Sequence, residues 1–175
     1  MTEPIRPKSL VKLDKELPVY KAVSKKSEDI SQEILKYLTS DDLKCLKDYP
    51  IQNLVKDAEA FGPELKRQKL ETNQIRKFLD AINRLKAKLA QDDQEIEQSQ
   101  MKEEEKEKAK FAKVKDEILL LKPKLAYAAA RQDAVKSLSK VMSAAIDKVH
   151  TKEDFDRLVQ LIESIIAYHK AEDGK

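Results

Sequence analysis

Residues 73–90 read NQIRKFLDAINRLKAKLA, and their spacing decides the fold. Ile75, Phe78, Leu79, Ile82, Leu85 and Leu89 recur at intervals of three and four, the period of one α-helical face. Thr72 stands where an N-cap belongs. A helix striped in this way is stable only when another surface covers the stripe, so the segment must be one member of a packed helical assembly. At about 100° per residue, Lys77, Arg84 and Lys88 fall within about 40° of one another. The same count places them opposite the stripe, with Arg76 on the flank and Asp80 the only acid in the segment.

The rest of the chain agrees with that reading. Two glycines and six prolines in 175 residues leave almost no material for hairpin turns. The remainder is rich in Lys, Glu, Leu, Ala, Ile and Gln, all good helix formers except Ile, which ranks lower. The expected fold is all-α: a single compact bundle of about five helices over 27–175, behind a basic, proline-containing arm at 1–26. That arm is read either as a frayed tail or as a segment ordered by a partner. Ser27 is the expected N-cap of a first helix through Leu38, and Pro50 opens a second with apolar positions Ile51, Leu54, Val55, Ala58 and Phe61. Gly62-Pro63 is expected to kink or end that helix. Apolar positions are sparse over about 91–110, which reads as a charged excursion that is either a solvated helix end or a flexible connection. Thr151 is the expected cap of the last helix, with Glu153 and Asp154 in its first turn and His169 near its end, packed or terminal rather than a ligand.

A second stretch stands out at 120–132, LLKPKLAYAAARQ. Pro123 lacks the backbone N–H that a helix interior requires, so the helix arriving from residue 111 must break and restart there. Lys122, Lys124 and Arg131 surround the break, and Ala126, Ala128, Ala129 and Ala130 allow close approach. Tyr127 is read as a packed ring, with stacking on a base or ribose as the alternative.

Charge alternates along the chain. Lys and Arg less Asp and Glu give +4 over 1–26, −4 over 27–62, +5 over 63–90, −4 over 91–117, +5 over 118–152 and −3 over 153–175. A nearly neutral molecule, +3 overall, can therefore fold with one basic surface, a footprint of polyanion binding. Enzymatic chemistry finds little support. His150, His169 and Cys45 are far apart, no glycine-rich phosphate loop can form from Gly62 and Gly174, and no serine sits in a nucleophile elbow. No cofactor and no metal are expected. A lone cysteine, with no apolar run of transmembrane length, fits a soluble cytoplasmic protein without membrane contact.

Three motifs together carry a resemblance: 72–78 (TNQIRKF), 121–131 (LKPKLAYAAAR) and 163–170 (ESIIAYHK). In this order and spacing the chain resembles the small helical subunit of the type III-A CRISPR effector, the Csm complex, over roughly residues 50 to 170. The resemblance implies a non-catalytic bundle, present as stacked copies or a homodimer along the guide RNA. It further implies contacts with the backbone and large Csm subunits and with guide and target RNA in antiviral defence. Carried onto this sequence, the RNA-facing residues are Arg76, Lys77, Arg84, Lys122, Lys124 and Arg131, with Gln74 and Tyr127. The competing reading is a helical protein–protein adaptor whose basic stripes are solvated surface. The two readings part on whether the basic blocks share a face.

Overall fold

The computed structural model describes residues 30–91 and 94–174; the arm at 1–26 and Ser27 lie outside the described residues. Eight α-helices follow in order: α1 Ile30–Leu38, α2 Ile51–Arg67, α3 Thr72–Ala90, α4 Gln94–Glu97, α5 Glu103–Leu119, α6 Leu121–Arg131, α7 Lys136–Asp147 and α8 Lys152–Ala171. Single 3-10 turns at Leu46–Asp48 and Asp133–Val135 link helices, and no strand occurs among the described residues.

α8 is the axis of the bundle. α2 and α3 both pack against it, α1 lies on α7 and α2, α5 on α3, and α6 on α7. A helix covered from several sides must be apolar over a wide arc. That is why Phe155, Leu158, Val159, Leu161, Ile162, Ile165 and His169 are all buried. His169 is fully buried, and its Nε2–H donates to the Leu70 carbonyl at 2.8 Å, so α8 fixes the corner between α2 and α3.

Gly62-Pro63 does not end the helix: α2 runs unbroken from Ile51 to Arg67. A proline inside a helix forfeits one backbone hydrogen bond, but Phe61 and Leu65 on either side are fully buried and packing outweighs that loss. The glycine serves a different end. A Cβ on Gly62 would lie 2.6 Å from the backbone nitrogen of His169 and 2.8 Å from the Tyr168 Cβ, so α2 meets α8 there nearly backbone to backbone. Ile51 and Val55, expected in the core, are exposed at 46% and 37%, because only Leu54, Ala58 and Phe61 of that stripe face the bundle.

α2 ends where Lys69 turns into the left-handed region at φ 63°. The Leu70 N–H reaches the Leu65 carbonyl at 3.0 Å and the Lys69 N–H reaches Lys66 at 2.9 Å, the paired bonds of a Schellman motif. A lysine there bears a steric cost that glycine lacks. Lys69→Gly should therefore stabilise the chain by about 0.5 to 1 kcal/mol after the entropy of the unfolded glycine is charged against it. A higher urea midpoint at constant m-value would show this; a lower midpoint would contradict it.

The break at Pro123 falls where the sequence places it. α5 closes with the Leu120 N–H on the Asp116 carbonyl at 2.9 Å, and α6 starts at Leu121. Pro123 thus stands in a first turn, where its missing N–H has no intrahelical role. The acidic connection folds back rather than projecting over its described part, 94–110. Ile96 is buried, and Glu97 pairs with Lys106 at 3.7 Å and with Lys110. α3 begins one residue earlier than expected, with Gln74 Oε1 accepting the Glu71 N–H at 3.2 Å.

Candidate nucleic-acid interface

α3 and α6 face one another without filling the space between them. The cause lies in their side chains. Ala81 on α3 and Ala128 on α6 are only partly buried, and neither bridges the gap. A trough of about 350 Å³ results. Its floor is apolar, formed by Phe78, Ala81, Leu121, Leu125, Ala128, Val135 and Leu138. Its rim carries Gln74 and Lys77 from α3 and Lys124, Tyr127 and Arg131 from α6, with Gln132 beyond. A second hollow of about 360 Å³ shares Ala81, Leu121 and Lys124 with the first and adds Arg84, Leu85, Leu120 and Glu117. The two hollows adjoin at those shared residues and make up one depressed region of the surface.

The rim is electrostatically open. Lys77, Arg84, Lys124 and Arg131 are exposed, and among the described residues no carboxylate pairs with any of them. Neighbouring cations outside it are neutralised: Lys88 binds Glu117, and Lys122 binds Asp147 of α7 at 2.5 Å. Tyr127 is 64% exposed, so the expectation of a packed ring is overturned. α6 is held by α7 on one side and by Leu121 and Leu125 below, which leaves position 127 on its outer face. Arg131 Nη1–H donates to Tyr127 Oη at 2.8 Å, and its guanidinium carbon lies 5.6 Å from the ring centroid. The two side chains therefore stand as a coupled pair at the mouth. At one end Gln74 Nε2–H donates to Gln132 Oε1, an amide bridge from α3 to the link before α7.

Of the eight residues expected to face RNA, six meet at this depression: Gln74, Lys77, Arg84, Lys124, Tyr127 and Arg131. Arg76 lines neither hollow, and Lys122 is drawn to α7. Lys77 and Arg84 leave α3 away from the centre of the apolar stripe, as the helical period puts them, yet both line hollows that Phe78 and Leu85 also line. Sequence reasoning missed Gln132 and the floor altogether. Alanines at 81 and 128 were the available signal, since each places a small side chain at the seam of two otherwise well-filled helices.

Among the described residues no group of His, Cys, Asp and Glu could hold a metal ion, and no helix is long and apolar enough to cross a membrane. The family model described as Csm2 Type III-A matches residues 48–175, which include α2 to α8 and every residue of the trough. The chain belongs to that family. It is a small subunit of a type III-A CRISPR complex and acts with the other Csm subunits. No curated protein and no solved structure matches the chain significantly. α1 lies outside the matched residues yet packs on α7 and α2, so it belongs physically to the same bundle.

Proposed function

We propose that this subunit binds RNA through the α3–α6 depression and stabilises the guide–target duplex by sequence-independent backbone contacts, without catalysing a reaction. One observation carries the reading. Two basic blocks separated by more than thirty residues in sequence place Lys77, Arg84, Lys124 and Arg131 around one concave surface, with no carboxylate pairing them among the described residues. Base pairing reads the sequence in an RNA-guided complex, so the protein needs only backbone and shape. Lysine and arginine supply that recognition through phosphate contacts and counterion release. Stacked copies along the guide RNA, in contact with the backbone and large subunits, would multiply weak contacts into useful avidity in antiviral defence in the cytoplasm.

The triple variant Lys77→Ala/Lys124→Ala/Arg131→Ala should bind RNA on the order of 100-fold more weakly and lose roughly two to three from the slope of log affinity against log salt. Arg76→Ala/Lys122→Ala, which removes two expected cations from outside the depression against three from its rim, should change affinity less than about threefold if direct contact rather than net charge governs binding. Fluorescence anisotropy across a salt series reads both, with circular dichroism to confirm folding. Unchanged affinity in a folded triple variant would instead favour a helical adaptor that touches only protein.

A further inference from the structure

We propose that the trough seats one unpaired nucleobase of the bound RNA, its flanking phosphates held by the cationic rim. The inference rests on the reading that this depression binds RNA. A continuous A-form duplex keeps its bases stacked and paired, and offers a protein phosphates, riboses and a shallow groove. Phosphate contacts would use Lys77, Lys124 and Arg131 but leave uncovered an apolar floor whose Ala81 and Ala128 are only half-buried. A nucleobase matches both parts: its faces are apolar and its edges are polar.

The trough is built accordingly. Tyr127, exposed and hydrogen-bonded to Arg131, offers an aromatic and guanidinium surface at the mouth, the kind on which bases stack. The Gln74–Gln132 amide pair closes one end with groups able to meet the donors and acceptors of a base edge. Size and charge narrow the occupant further. About 350 Å³ is near the lower bound of small-ligand sites, about 300 to 1,000 Å³, and suits one nucleotide. A docking apolar helix would have to cover the rim cations and leave them without a partner. The unpaired cations therefore select a polyanion over an apolar peptide.

The full-length chain can be titrated at low salt with three RNAs: a perfect duplex, the same duplex with one unpaired nucleotide, and that bulged duplex with an abasic unit at the unpaired position. The bulged duplex should bind about tenfold more tightly than the perfect one, and the abasic unit should abolish the difference. 2-Aminopurine at the bulge should change fluorescence on binding. The bulged-to-perfect ratio should fall towards one in Tyr127→Ala, which removes an exposed ring, and in Ala81→Leu, which fills the floor; circular dichroism identifies any failure of the second to fold. Equal affinities for all three RNAs, still sensitive to the rim triple variant, would overturn the base site and leave backbone binding standing. Absence of binding to any of the three would overturn both.

Discussion

Gly62→Ala is expected to destabilise the chain by about 3 kcal/mol, although alanine is the better helix former. Two effects oppose each other at this position. In an open helix interior the substitution gains about 1 kcal/mol from propensity. Here the new Cβ would lie 2.6 Å from His169 N and 2.9 Å from the Tyr168 carbonyl carbon, and backbone atoms cannot swing aside as a side chain end can. α2 and α8 must separate, which loosens the seam of fully buried Phe61, Leu65, Ile162 and Ile165 and the His169 bond to Leu70. For a domain of this size the loss corresponds to a melting temperature lower by about 10 °C. A thermal melt followed by circular dichroism decides the matter. A rise in melting temperature would mean that propensity wins and that the two helices do not meet so closely.

Asp154→Asn should cost more, about 3 to 5 kcal/mol, with almost no change in volume. The Asp154 side chain is fully buried and its carboxylate accepts four hydrogen bonds. Oδ1 takes the Lys47 N–H at 2.8 Å; Oδ2 takes the His150 N–H at 3.0 Å, the Thr151 N–H at 2.9 Å and the Thr151 hydroxyl at 3.1 Å. An amide can keep one side of that set only. Its NH2 group would face donors on the other side, leaving buried N–H groups without acceptors, and the favourable charge at the start of α8 would vanish. Because Lys47 sits in the turn before α2, the effect should reach the starts of both α2 and α8, giving a lower urea midpoint. A midpoint within error of the parent would show that the carboxylate is dispensable. None of these contacts touches the trough, so RNA binding by either variant below its melting temperature should match that of the parent.

The helices themselves were legible because their signals are local. The stripe from Ile75 to Leu89, the cap at Thr151 and the restart around Pro123 depend on residues within one or two turns, and each lies where its spacing puts it. The acid at 154 was legible as a favourable first-turn charge, but not as the acceptor that ties Lys47 to α8, since that bond spans 107 residues. Gly62-Pro63 was misread for a related reason. As a dipeptide it signals a break, and only the backbone of α8 lying against it explains why glycine is needed in a helix that continues.

The candidate site divides along the same line. Residue types and order by themselves determined that this chain is all helical, carries two basic blocks and resembles the Csm small subunit. Those properties follow from composition, local periodicity and motif order. Only the tertiary structure decided that Lys77, Arg84, Lys124 and Arg131 share one depression, that Lys122 is diverted to Asp147, and that Tyr127 stands outside the core. A helical period fixes where a side chain leaves its own axis. Which part of that face is covered, paired or left open depends on how neighbouring helices approach and how large the side chains between them are, and between α3 and α6 the alanines at 81 and 128 leave a hollow.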